Sequence, residues 1–236
     1  MNEKTVVYIG NANVYGMMKL SAKSLLYHSD VDRIYFLIDD DKFPCSLPDK
    51  IQCVCIRDQK YFRDDCPNIN GFYSYITLLR SVLSKILKED RALLLDPDTV
   101  VCDSIDRLWD YDLSDYYFAA VPETRVSRHE LQPYYNAGVM LMNLGKFRKD
   151  RMDDSMIVEL NQKFYPHLEQ DALNYLCHDN ILALPSDFSA SFVTDETNHT
   201  VIRHCLSDDK HLFSKYAKQY ATMSWDEIMS HNRKAE

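Results

Sequence analysis

The run Leu93-Leu94-Leu95-Asp96-Pro97-Asp98-Thr99-Val100-Val101 closes an apolar stretch with two carboxylates one residue apart. The stretch reads as a buried strand. Two such acids repel each other and cost desolvation unless something cationic holds them. Their oxygens are hard donors suited to Mg²⁺, Mn²⁺ or Ca²⁺. Alone, the pair also fits a polar turn punctuated by Pro97. Three further segments carry chemistry. Tyr135-Asn136-Ala137-Gly138 puts a small, polar turn directly before a strand, and Glu169-Gln170-Asp171 sits on a helix. Val201-Ile202-Arg203-His204 ends a strand on an imidazole, with Lys210 six residues later. Singly, these fit a turn, a solvated helix face and a strand-end histidine.

The elements that must position these groups follow from periodicity. Residues 5–9 form a strand and Gly10-Asn11-Ala12-Asn13 a loop, after which Met18, Ala22, Leu25 and Leu26 share one helical face. Residues 33–38 and 51–56 are the next strands. Ile76, Leu79, Leu83, Ile86 and Leu87 mark a second amphipathic helix leading into the Asp96 strand. This β-α-β-β-α-β order favours a mostly parallel sheet covered on both faces. Further strands are expected at 117–121, 139–144, 181–184 and 201–204. Residues 168–177 should form a helix with Leu168, Ala172, Tyr175 and Leu176 as its buried stripe. Glycine is scarce, so Gly10, Gly16, Gly71, Gly138 and Gly145 mark special backbone geometry. Gly10 and Gly16 do not match G-x-G-x-x-G, so a dinucleotide fingerprint is absent.

Composition narrows the class. A chain of 236 residues can bury a sizeable core, and no linker, repeat or low-complexity tract divides it. One domain over 1–236 is expected, with 213–236 a helical C-terminal extension. A net charge of −9 disfavours nucleic acid, whereas a small anion clamped through a divalent cation is compatible. No run of about 18 apolar residues exists, so no integral membrane segment is expected. The strand at 5–9 follows no basic leader, which argues against a secretory signal. Seven cysteines lack metal spacing, and Cys53 and Cys55 alternate along a strand. They read as reduced thiols packing as small apolar residues in a cytoplasmic protein. Lys210, Lys215, Lys218, Arg233 and Lys234 read as a solvated helix face.

Together and in this order the motifs resemble the retaining glycosyltransferases of family eight, which include glycogenin and bacterial lipopolysaccharide glucosyl- and galactosyltransferases. The resemblance covers about residues 4–212. Its markers are Ala22-Lys23-Ser24, Arg80, Asp96-Pro97-Asp98, Asn136-Ala137-Gly138, Gln170-Asp171 and the His204…Lys210 spacing. It implies an α/β GT-A fold: a single Rossmann-like domain with a mixed, mostly parallel central sheet covered by helices. It also implies transfer of a hexose, glucose or galactose, from a UDP-sugar to a saccharide or glycoconjugate acceptor in cell-surface polysaccharide synthesis. Mn²⁺ would be the cofactor, with Mg²⁺ a possible substitute, held by Asp96, Asp98 and His204 together with diphosphate oxygens. Ile9, Asn11, Asn13, Arg80, Asp96, Pro97, Asn136, Ala137 and Lys210 would bind the nucleotide sugar. Gln170 would lie beneath the anomeric carbon of the sugar. A neutral amide is a poor nucleophile, so front-face substitution is expected, with a covalent route through Glu169 as the other possibility.

Three departures from that pattern stand out. Asn11 replaces the usual aspartate, Val14 replaces the aromatic residue that stacks on the base, and Ser207 replaces a loop glycine. Two other readings of the chain are a haloacid-dehalogenase-like phosphatase, with Asp96 as nucleophile and Asp98 as acid/base, and a UDP-sugar-binding module with little turnover. Tyrosine-rich stretches at 61–75 and 123–135 offer aromatic faces for an acceptor.

Overall fold

A computed structural model describes residues 3–69, 75–125, 130–206 and 209–232. Gly71, Ser207, Arg233, Lys234 and part of each tyrosine-rich stretch lie outside the described residues. The chain first forms β1 (Thr5–Gly10), α1 (Tyr15–His28), β2 (Arg33–Ile38), β3 (Ile51–Cys55), α2 (Tyr75–Leu78) and α3 (Leu83–Ile86). Next come β4 (Arg91–Leu95), β5 (Thr99–Val101), β6 (Phe118–Pro122), β7 (Tyr135–Asn143), α4 (Leu144–Asp150), α5 (Met152–Gln162) and α6 (Leu168–Cys177). β8 (Ile181–Ala183), β9 (Ile202–His204), α7 (Lys210–Thr222) and α8 (Trp225–Asn232) follow.

Seven strands make one sheet in the order β3-β2-β1-β4-β7-β6-β8. β7 runs antiparallel to both β4 and β6, while the other neighbouring pairs are parallel. Alternation along β1 splits the core. Val6 and Tyr8 pack with Met18, Ala22, Leu25 and Leu26 of α1 on one face. Val7 and Ile9 pack with Leu79, Leu83 and Leu173 on the other. From β1 the chain crosses to β2 on one side and later reaches β4 on the other. The sheet order therefore reverses at β1/β4, where open sheets hold ligands beyond the strand ends.

Several expectations need correction. The helix expected around 76–87 is broken by a 3₁₀ turn, Leu79–Val82, where the Ser81 hydroxyl donates to the Leu78 carbonyl at 2.7 Å and competes with the helical ladder. Asn136-Ala137-Gly138 is strand, not turn. β7 begins at Tyr135 because the Asn174 amide accepts the Tyr135 N–H at 2.7 Å and donates to its carbonyl at 2.8 Å. The buried face of α6 is rotated from the expected stripe: Leu168, Ala172, Leu173 and Cys177 are buried, along with polar Glu169 and Asn174, while Tyr175 is 55% exposed. Cys45, Cys53 and Cys55 are exposed rather than packed, the last two because β3 is a sheet edge. α4 and α5 fill a segment where no element was expected. Asn143 caps α4 by accepting the Lys146 N–H at 2.9 Å. No helix among the described residues is long and apolar enough to cross a membrane.

Candidate active site

Three strands deliver the acid couple and the imidazole to one place. The β4–β7 ladder runs one bond past Leu95, from the Asp96 N–H to the Gly138 carbonyl at 2.8 Å. Thr99 then donates its N–H (3.1 Å) and its hydroxyl (2.7 Å) to the Asp96 carbonyl, which closes the acidic turn. β5 pairs with β9 so that Thr99 faces His204, and the Cys205 N–H bonds the Asp98 carbonyl at 3.0 Å. Helix α1 pins this ribbon from behind. Ser21 Oγ lies 2.9 Å from Thr99 Oγ1, and Ser24 Oγ accepts the Val101 N–H at 2.9 Å. Between these serines, buried Lys23 donates to the Tyr220 and Met223 carbonyls at the end of α7, whose first residue is Lys210.

His204 Nε2 consequently stands 3.5 Å from Asp96 Oδ2 and 3.3 Å from Asp98 Oδ1. One ligand atom from each of the three residues lies within 4.8 Å of the others, a spacing that could hold a metal ion. Gly138 backs the ring, since a Cβ there would fall 1.9 Å from His204 Cε1. Among the described residues Nδ1 of the buried ring has no hydrogen-bond partner, so packing against Gly138 and the two acids orients it. Burial disfavours the imidazolium, but hydrogen bonds and charge from Asp96 and Asp98 outweigh it and push His204 up to about 9. For Asp96, burial raises the carboxyl, yet Arg80 and then His204 hold it below its ordinary value. The two acids thus favour positive charge at this point, which a divalent cation could also supply.

The facing wall is a dense hydrogen-bond lattice in which the Arg80 Nε and Glu169 Oε2 atoms are buried without a hydrogen-bond partner among the described residues. Buried Arg80 bridges Asp96 Oδ1 and Glu169 Oε1, each at 3.0 Å, and donates to the Ala137 carbonyl. Charge is divided unequally across that bridge. Burial pushes Glu169 up to about 7 against the pull of Arg80. Leu168 opens α6 at φ 53°, a left-handed conformation rare for a bulky residue, directly before Glu169 and Gln170. The Gln170 amide is fixed at both ends: its oxygen accepts the Ala137 N–H at 2.8 Å, and its nitrogen donates to Glu123 at 3.2 Å and the Tyr134 hydroxyl at 3.0 Å. Asn136 donates to the same Glu123 oxygen at 2.9 Å and accepts the Gly138 N–H at 2.9 Å.

Between the walls lies a cleft of about 230 Å³. Of the expected nucleotide-sugar residues, Ile9, Asn11, Arg80, Asp96, Pro97 and Lys210 line it, as does Asp98. Asn136, Ala137, Glu169 and Gln170 stand behind Arg80. Asn13 is exposed outside the cleft, its N–H bonded to Asn11 Oδ1 at 3.1 Å in a local turn. Met17 and Thr77 also line the cleft without having been singled out from sequence, as does Ile76, which was read only as part of a helix face. Glu123 was passed over as well, although a lone acid after an apolar strand is the same signal that drew attention to Asp96.

The sequence profile of glycosyl transferase family 8 matches residues 37–217. The chain belongs to this family. Among its relatives, the glycosyltransferase GlyA of Streptococcus pneumoniae serotype 4 is 28% identical over 222 residues, covering 87% of this chain and 29% of GlyA. GlyB of the same strain is 27% identical over 247 residues, covering 99% and 60%. The chain therefore spans under two thirds of the length of these relatives. Among solved structures, the glycosyltransferase GlyE of S. pneumoniae superposes with a TM-score of 0.71 at 19% identity, covering 100% of this chain and 64% of GlyE. The galactosyltransferase LgtC, solved with donor and acceptor sugar analogues, superposes with a TM-score of 0.70 at 22% identity, covering 94% and 98%. The fold is GT-A. Family 8 membership leaves the phosphatase reading of the Asp-x-Asp run without support.

Proposed function

We propose that this family 8 glycosyltransferase is a Mn²⁺-dependent, retaining hexosyltransferase. In this reading it moves glucose or galactose from a UDP-sugar to a saccharide or glycoconjugate acceptor, with Mg²⁺ as a possible substitute for Mn²⁺. One observation carries the reading: partly exposed Asp96 and Asp98 converge on buried His204 at a cleft that also presents Lys210.

Asp96, Asp98 and His204 would hold the cation. Carboxylate mixed with imidazole suits Mn²⁺ better than Ca²⁺, and the missing Cβ of Gly138 gives the ring its place. When bound, the ion supplies Lewis-acid neutralisation of a diphosphate. Lys210 adds a point charge on the departing diphosphate. Ile9, Asn11 and Pro97 receive the nucleoside, and Asn13 orders the Asn11 turn. Asn11 Oδ1 keeps a lone pair for the uracil imide after accepting the Asn13 N–H. Arg80 holds Asp96 on the sugar side, with Asn136 and Ala137 forming the strand backbone behind it.

Glu169 has a side chain only 3% exposed and is paired with Arg80, which favours a positioning role over attack on the sugar. Gln170, a neutral amide locked at both ends, stabilises positive charge that develops on the sugar. In the front-face substitution, the bond from the anomeric carbon to the phosphate oxygen breaks as the bond to the acceptor oxygen forms. The acceptor proton passes to that phosphate oxygen. A cytoplasmic setting suits the seven unpaired cysteines. The test is nucleotide release from UDP-glucose, UDP-galactose, UDP-N-acetylglucosamine and GDP-mannose, with and without Mn²⁺. Release of UDP only with Mn²⁺ supports the assignment. An inverted product anomer, read by NMR, overturns the retaining mechanism.

A further inference from the structure

A second hollow, of about 420 Å³, opens beside α6 and is lined by Tyr134, Tyr165, Pro166, His167, Asp171 and Tyr175. Its aromatic residues are fixed before any ligand arrives. The Tyr134 hydroxyl donates to Asp171, and the Tyr165 hydroxyl donates to Glu159 at 2.6 Å. Lys163 pairs with the same Glu159 at 2.6 Å and sits 5.1 Å from the centre of the Tyr175 ring. Tyr175 is the telling residue. It belongs to the stripe that helical spacing assigns to the core, yet it is 55% exposed. Inward-facing Glu169 and Asn174 rotate the helix and leave that ring at the rim of the hollow.

The chemistry is that of sugar recognition. Tyrosines present an apolar body with a polar tip. A carboxylate fixed among them accepts hydroxyl groups. Asp171 accepts the Tyr134 hydroxyl on one oxygen and the His167 N–H on the other at 2.8 Å, which leaves lone pairs on both. The hollow is also tied by hydrogen bonds to the lattice behind the candidate active site. The Tyr134 hydroxyl that bonds Asp171 accepts from Gln170 at 3.0 Å, so one phenol joins the hollow to that lattice.

We propose that this hollow binds a distal sugar ring of an extended acceptor, so that the acceptor is an oligosaccharide rather than a single sugar. The inference takes its setting from the hexosyltransferase reading above but is tested by binding alone. Saturation-transfer NMR is run with glucose and galactose as single-ring probes and with maltotriose and chitotriose as extended ones. At least one trisaccharide should bind roughly tenfold more tightly than either monosaccharide, and Tyr175→Ala should remove about that factor. Tyr175→Phe keeps the ring and should retain binding. So should Phe164→Ala, which removes an exposed aromatic outside the hollow. Equal binding of all probes, no binding of any, or trisaccharide binding indifferent to Tyr175→Ala each overturns the proposal. UDP with Mn²⁺ is measured in parallel by thermal shift, and its failure beside intact trisaccharide binding counts against the donor reading alone.

Discussion

The two walls of the cleft differ in how their polar groups are satisfied. On the β5–β9 side, two partly exposed carboxylates meet one imidazole at 3.3 and 3.5 Å, and among the described residues Asp96 alone of the three is also held from the other wall, by Arg80. On the α6 side, Arg80, Gln170 and Asn136 are engaged by fixed partners, and Glu123 receives both amides. An open donor set is built to exchange its occupant, whereas a closed lattice is built to hold a shape. Substitutions on the first wall should therefore abolish ion binding and leave the fold intact. Substitutions on the second should show up in stability and its pH dependence.

Asp98→Ala is the strongest break on the open wall. It removes one of the three groups that could hold the ion, and its side-chain carboxylate accepts from no described donor besides His204. Mn²⁺ affinity measured by calorimetry should fall by more than about 100-fold, with the circular dichroism spectrum unchanged. Near-normal Mn²⁺ binding by this variant would remove the distinction between the walls.

On the closed wall, Glu169→Gln probes a carboxyl that burial raises to about 7 against the pull of Arg80. The folded value lies above the unfolded reference of 4.5, so the fold prefers the protonated form. That contribution is complete below pH 4.5 and is lost as pH climbs through 7. Glutamine mimics the protonated acid at every pH. Urea titrations at pH 4.5 and pH 8 should show the variant gaining about 3 kcal/mol on the wild type across that interval. A constant difference between the two proteins at all pH values would mean that Glu169 stays ionised in the fold.

Much of this was legible in the chain. Strand β2 and helix α6 occupy their expected spans because strong local periodicity specifies them. The acid couple at the end of β4 was visible for the same reason. What escaped reading depends on contacts distant in sequence. Asn and Gly are turn formers, so 136–138 looked like a turn until the β4 ladder and the Asn174 amide extended β7 through them. Glu169 looked solvated because polarity in one helix does not announce an Arg80 waiting elsewhere. The approach of His204 to Asp96 was implied by family resemblance and not by any local pattern.

Gly138 is where the two walls join, and it offers the finest test of the contrast. Its N–H bonds Asn136 on the closed side, its carbonyl receives the Asp96 N–H, and its missing Cβ leaves room for the His204 ring. Gly138→Ala keeps both backbone bonds, since Gly138 does not adopt the left-handed φ that would exclude a side chain. The added methyl would sit 1.9 Å from Cε1 and 2.6 Å from each ring nitrogen, so the imidazole must move while the lattice need not. Mn²⁺ affinity should fall roughly 10- to 100-fold, as when a group supporting a ligand is lost. The pH dependence of stability assigned to Glu169 should stay as in the wild type. If Gly138→Ala instead shifts that pH dependence and spares Mn²⁺ binding, strand β7 couples the walls, and the open and closed halves cannot be treated as separate devices.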